Sequence, residues 1–239
     1  MNPIVKNIQQ QLAESAEERN VAVSARYYKK DEEATVRGVK MTEVNKLAKA
    51  FLPGIKQMPK AEVFAVCEQL WKSGYLEDAL VACMWSEAQH RRYTPEDMDT
   101  FERWLDTYVR NWGDCDTLCN HTIGSLLMMY PELLARVKDV WTGSPNRWMR
   151  RGAAVSLIVP ARRGMFLSDI FGVADRLLPD ADDMVRKGYG WMLKAASEAH
   201  VQEVFDYVVR HRAVMPRVAL RYAIEKMPAD MRAKAMARA

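Results

Sequence analysis

Trp112 and Asp116 lie four residues apart in the segment Asn111-Trp112-Gly113-Asp114-Cys115-Asp116. On a helix, this spacing places both side chains on one face, within reach of a common ligand. An indole face attracts a cation by about 0.5 to 2 kcal/mol, depending on desolvation. A neighbouring carboxylate stabilises positive charge that develops in a transition state. The pair is therefore a candidate site for a cationic ligand, and the alternative is that Trp112 belongs to the core and Asp116 offsets the helix dipole.

A metal site is the second candidate for this segment, because Cys115, Asp116, Cys119 and His121 lie close together in the sequence. A structural zinc site needs four ligands with suitable spacing and orientation, and this cluster lacks that spacing. Cys115 and Cys119 are more simply interpreted as buried helix residues. We therefore expect no metal.

Positive charge is concentrated in the C-terminal part of the chain. The net charge of +4 divides into −3 over residues 1–140 and +7 over residues 141–239. A concentrated positive surface attracts polyanions, so nucleic acid is a candidate partner. The alternative is a basic surface that is simply solvated.

Composition and the N-terminal sequence argue against membrane and secreted proteins. The chain has no long uncharged apolar run, and residues 1–20 lack the apolar stretch and cleavage site of a secretory signal. The four cysteines have neither zinc-ribbon nor CxxC spacing, and their low density is typical of a reducing compartment. We expect a monomeric cytoplasmic protein with free thiols and no membrane partner.

Apolar residues recur at three- and four-residue spacing along nearly the whole chain, which predicts an all-α protein. Thr94-Pro95 and Ser144-Pro145 place a hydroxyl before a proline and are interpreted as helix starts. Glycine and proline mark turns between helices of roughly 10 to 16 residues. The predicted turns are Pro53-Gly54, Lys72-Ser73-Gly74, Tyr93-Thr94-Pro95, Thr142-Gly143-Ser144-Pro145, Arg163-Gly164, Leu178-Pro179-Asp180 and Met215-Pro216.

An internal similarity predicts that helices stack as repeats. Residues 150–157 resemble residues 186–193 at an offset of 36 residues, and a looser third copy begins at Arg217. A period of this size is typical of helical-repeat solenoids. Small residues in the copies would let neighbouring helices approach, while basic residues recur on one face. We expect one domain over residues 1–239, curved, with antiparallel helix pairs and a basic concave face.

Several segments together resemble the AlkD-type DNA alkylation repair glycosylases, a bacterial family built from HEAT-like helical repeats. The resemblance spans nearly the whole chain and depends on the order and spacing of the segments. They are Asn2-Pro3-Ile4-Val5-Lys6, Ala25-Arg26-Tyr27, residues 111–116, Trp148-Met149-Arg150-Arg151 and Gly190-Trp191-Met192-Leu193-Lys194. The chain departs from the family pattern at Asn111 and Gly113.

The resemblance implies hydrolysis of the N-glycosidic bond of N3- and N7-alkylated purines in duplex DNA, without a metal or organic cofactor. By this resemblance Trp112 and Trp191 match the active-site tryptophans and Asp116 matches the catalytic carboxylate. Arg151 matches an arginine that contacts DNA, and Tyr27 an aromatic residue near the duplex. It also implies a bacterial protein, associated with the nucleoid when bound to DNA.

Further DNA contacts are predicted from the basic residues that recur at repeat positions and flank the candidate tryptophans. The planar fork of arginine suits phosphate. These candidates are Arg147, Arg150, Arg186, Lys187 and Lys194. Two other functions stay open: a catalytically silent relative that only binds DNA, and a helical-repeat scaffold for protein partners. The other tryptophans are expected in the core or in the packing between repeats.

Overall fold

The computed structural model describes residues 1–24, 26–29 and 31–237. Over these ranges the chain forms helices and turns without a strand, and Thr35 and Tyr75 form an isolated bridge. The all-α prediction is confirmed. No helix in these ranges is long and apolar enough to cross a membrane. Ala25, part of one segment of the family resemblance, lies outside the described residues.

The helices form two compact units, residues 1–118 and residues 119–239. In the first unit, α5 (Leu76–Glu87) packs against the third, fourth and seventh helices, and α1 (Pro3–Glu14) packs against the third and fourth. Trp85, Phe101 and Trp104 are fully buried in its core. The helices of this unit are α1 (Pro3–Glu14), α2 (Glu18–Ser24), α3 (Met41–Gln57), α4 (Lys60–Trp71), α5 (Leu76–Glu87), α6 (Asp97–Thr107) and α7 (Trp112–Thr117).

In the second unit, α13 (Asp183–Ala196) is the central helix and packs against the tenth, eleventh, twelfth, fourteenth and fifteenth helices. A π-helical segment, Leu118–Ile123, precedes the first helix of this unit. The helices are α8 (Gly124–Met129), α9 (Leu134–Asp139), α10 (Arg147–Val155), α11 (Ile158–Arg162), α12 (Leu167–Leu177), α13 (Asp183–Ala196), α14 (Val201–His211), α15 (Arg217–Ile224) and α16 (Ala229–Met236).

The predicted repeat copies lie on α10, α13 and α15, and α13 packs against both of the others. Two glycines of α13 allow this packing. A Cβ atom at Gly188 would lie 3.3 Å from Cγ of Arg151, and one at Gly190 would lie 2.8 Å from the carbonyl oxygen of Ala219. The prediction that small residues bring repeat helices together is confirmed. The single domain, its curvature and its basic concave face stay predictions.

Three local predictions differ from the structure. Pro53 and Gly54 lie inside α3, because Val44, Ala48 and Ile55 on both sides of them are buried and hold the helix together. The predicted starts at Thr94-Pro95 and Ser144-Pro145 are each two residues early, since α6 begins at Asp97 and α10 at Arg147. Asn146 is the N-cap of α10. The Asn146 side chain accepts a hydrogen bond from the backbone N–H of Trp148 at 2.9 Å.

The tryptophans that we assigned to the core are buried. Trp71, Trp85, Trp104, Trp141 and Trp148 are at most 5% exposed. The indole N–H of Trp85 donates to the carbonyl oxygen of Ala48 at 3.0 Å, which joins α5 to α3. All four cysteines are buried free thiols, as predicted.

Candidate active site

Asn111 starts the helix that carries the candidate pair. Its side-chain oxygen accepts from the backbone N–H of Asp114 at 3.0 Å, which satisfies a free donor of the first turn of α7. Its amide nitrogen donates to Oδ2 of Asp114 at 2.7 Å and to the carbonyl oxygen of Glu33 at 3.2 Å. Asn111 therefore fixes both the start of α7 and the loop around Glu33, and places Trp112 at the first helical residue.

Asp114 and Asp116 have different environments although they are two residues apart. Asp114 is 7% exposed, whereas Asp116 is half-buried. Burial raises the pKa of Asp114 to about 7, against which the hydrogen bond from Asn111 acts in the opposite direction. Asp116 is the more accessible carboxylate of the two and lies four residues after Trp112 on the same helix.

Two aromatic residues hold the side chain of Trp112. The Tyr28 ring stacks on the indole, with ring centroids 5.5 Å apart and planes inclined by 28°. The indole N–H donates to the carbonyl oxygen of Tyr27 at 3.3 Å. The indole is half-buried, so part of it stays accessible to a ligand. Tyr27 itself is 68% exposed.

A buried acidic pair, which the sequence reasoning missed, holds the loop that leads into α3. Glu77 accepts from the backbone N–H groups of Arg37, Gly38 and Val39. Asp78 is fully buried and accepts two hydrogen bonds from the guanidinium of Arg37, at 2.7 and 3.0 Å. The sequence signal was two adjacent acids in the first turn of an otherwise apolar helix.

Trp191 lies on α13 in the second unit and is half-buried. Lys187 is four residues before it and Lys194 three residues after it, so all three lie along one face of the helix. Each lysine has an acidic partner: Lys187 pairs with Asp183 at 2.9 Å and Lys194 with Glu225 at 3.1 Å.

The candidate arginines converge on the connection between α12 and α13. Arg147 pairs with Asp182 at 2.9 Å and Arg150 with Asp180 at 2.6 Å. Arg186 donates to the backbone carbonyl oxygen of Asp180 at 2.6 Å. Their proposed contacts with phosphate stay predictions. To make such a contact, each guanidinium group would have to bind the phosphate and its present carboxylate or carbonyl partner at the same time.

Arg151 is more buried than a phosphate contact needs to be. Arg151 is only 5% exposed, and its guanidinium donates to the carbonyl oxygen of Met184. Gly188 lies against its aliphatic part. Arg151 thus joins α10 to α13, and its role at DNA stays a prediction. Within the described ranges, no group of three or more His, Cys, Asp or Glu is placed to hold a metal ion.

Comparison with known proteins identifies relatives of the chain. The family model described as "DNA alkylation repair enzyme" matches residues 8–227. The solved structure described as "Predicted DNA alkylation repair enzyme from Enterococcus faecalis" superposes with a TM-score of 0.79 at 18% sequence identity. The superposition covers 90% of this chain and 98% of that one, and at this identity it shows a shared fold. No curated protein matches the chain.

Proposed function

Because the chain belongs to the DNA alkylation repair enzyme family, we propose that it removes N3- and N7-alkylated purines from duplex DNA by hydrolysing the N-glycosidic bond. The observation that carries this proposal is the presence of an indole and a carboxylate on one helix, neither of them fully buried. Trp112 and Asp116 lie one turn apart on α7, and both are half-buried. The buried neighbour Asp114 is withdrawn from solvent and serves the helix start.

The substrate explains why these two residue types suffice. An N3- or N7-alkylated purine is cationic, so it leaves as a neutral base without a strong general acid. The indole of Trp112 attracts the cationic base through its electron-rich face. We assign the same role to Trp191 on α13, and phosphate contacts to Lys187 and Lys194, which lie on the same face of that helix.

Bond cleavage moves positive charge from the base to the sugar. The electron pair of the N-glycosidic bond stays with the base nitrogen, and the sugar becomes an oxocarbenium-like centre, as in glycoside hydrolysis. The carboxylate of Asp116 stabilises this centre more than the ground state. A water oxygen then bonds to C1′ of the sugar and releases its proton to solvent.

The test is release of free base. Purified protein is incubated with methylated duplex DNA, and free 7-methylguanine is measured against heat-only depurination. Release well above that control supports a glycosylase. DNA binding without any release would favour the catalytically silent alternative, and absence of both would leave the protein-scaffold alternative.

A further inference from the structure

One face of the Trp112 indole is already occupied. Tyr28 stacks on it at 5.5 Å between ring centroids, and the N–H edge is held by the carbonyl oxygen of Tyr27. A stacked aromatic pair has a restricted geometry that neither ring has alone. The indole therefore offers a ligand the face opposite Tyr28, in an orientation set by the protein.

Gly113 makes room for this stack. A Cβ atom at Gly113 would lie 2.8 Å from the hydroxyl oxygen of Tyr28, 3.2 Å from Oδ1 of Asn111 and 3.3 Å from Cδ1 of Leu76. The first distance is shorter than contacts that Cβ atoms make, so any larger residue would displace the tyrosine. Because the backbone of Gly113 is helical, space and not backbone conformation requires glycine here.

The hydroxyl of Tyr28 stays neutral. Burial raises its pKa above the usual range of a tyrosine, and the charges of Asp114, Glu32, Glu77 and Asp116 act in the same direction. The carboxylate of Asp116 is thus near enough to Tyr28 to influence it.

We propose that Tyr28 is a positioning residue for Trp112, that Gly113 provides the space it needs, and that the pair determines how strongly the enzyme prefers cationic bases. This inference rests on the proposed function. An indole held in one orientation presents its electron-rich face to the base in every complex. An indole free to rotate also presents its edge, which repels a cation.

Four variants test the pair. Tyr28→Phe keeps the ring and removes the hydroxyl, so we expect base release near the parental rate. Tyr28→Leu and Gly113→Ala should each lower the single-turnover rate about three- to tenfold, the range that a lost aromatic pair gives, with unchanged affinity for unmodified duplex DNA. The double variant Gly113→Ala/Tyr28→Phe should recover much of the rate, because the nearest clashing atom is gone. A double variant no faster than Gly113→Ala would overturn the proposal.

Fluorescence tests the positioning without activity. In a Trp191→Phe background, acrylamide quenching reports mainly on Trp112, since the other five tryptophans are at most 5% exposed. Tyr28→Leu and Gly113→Ala should increase quenching, and Tyr28→Phe should not. Unchanged quenching in Tyr28→Leu would overturn the proposed positioning. A parental protein that releases no base would instead overturn the proposed function, while the quenching result would still decide whether Tyr28 orients Trp112.

Discussion

Gly190 of α13 approaches α15 so closely that a Cβ atom at this position would lie 2.8 Å from the Cβ atom of Tyr222. The amino group of Lys194, one turn later on α13, lies 5.5 Å from the centroid of the Tyr222 ring. The close approach thus packs one repeat copy against the next and brings the lysine that follows Trp191 over an aromatic face. The position of Lys194 depends on a residue that has no side chain.

Gly190→Ala should therefore destabilise the protein, by about 1 to 3 kcal/mol as expected for overpacking. The contacts at this position are backbone and Cβ atoms of α15, which cannot move aside separately. The matched control is Gly54→Ala in α3, where a Cβ atom meets nothing within 4 Å. That variant should be more stable by about 0.5 to 1 kcal/mol. Urea unfolding measures both, and a Gly190→Ala variant as stable as the parent would contradict the close packing.

Burial of Asp114 should make the free energy of unfolding fall as pH rises. Its pKa is about 7 in the folded protein against an ordinary value of 3.8. Between these two values the native state binds more protons than the unfolded state, so stability is lost as pH rises through about 7. The difference between the two pKa values of Asp114 corresponds to roughly 4 kcal/mol in the free energy of unfolding.

Asp114→Asn removes this titration and is the measurement that isolates it. Unfolding free energies at pH 5 and pH 8 should differ less in the variant than in the parent. Asparagine keeps an acceptor for the amide of Asn111, which preserves the start of α7. The same pH dependence in both proteins would show that another group is responsible.

Arg151→Ala should lower the melting temperature more than Lys187→Ala. Arg151 is buried, and its removal leaves the carbonyl oxygen of Met184 without this donor, at a cost of about 1 to 3 kcal/mol. Lys187 forms an ion pair with Asp183 within one helix, and such pairs contribute less than about 1 kcal/mol. If Arg151 is also a phosphate contact, its variant should lose affinity equally for all duplex sequences.

Glu225→Gln should strengthen DNA binding if Lys194 contacts phosphate. The substitution releases Lys194 from its ion pair, and Lys194→Gln should do the opposite and change the slope of log K against log salt by about 0.9. The control is Glu43→Gln in α3, which changes net charge equally and releases Lys46 in the first unit. Equal effects of both glutamine variants would indicate a general charge effect and no specific contact.

Asp116→Asn should slow base release strongly while affinity for undamaged DNA stays the same or improves slightly. The carboxylate opposes the approach of phosphates, yet it favours the cationic sugar that exists only as the bond breaks. Trp112→Ala should differ, because the indole contacts the cationic base before and during cleavage. Single-turnover kinetics on one alkylated duplex, with binding to the unmodified duplex, separates the two. Parental release by Asp116→Asn would make Asp114 the next candidate.

The sequence by itself determined the features that depend on local spacing. Apolar periodicity predicted the helices, and the 36-residue offset predicted which of them stack. The five buried tryptophans were also assigned correctly, because a tryptophan in a helical repeat usually belongs to the core. Each of these inferences depends only on residue types and their spacing along the sequence.

The tertiary structure decided what depends on distant residues. Tyr28 reaches Trp112 and the hydrogen bond from Asn111 to Glu33 joins residues 78 apart, so neither contact is visible in local spacing. The same holds for Asp114, which is buried although Asp116 nearby is accessible. Whether a charge is exposed or desolvated depends on which helices pack around it, and pKa values follow that packing. Composition alone cannot specify it.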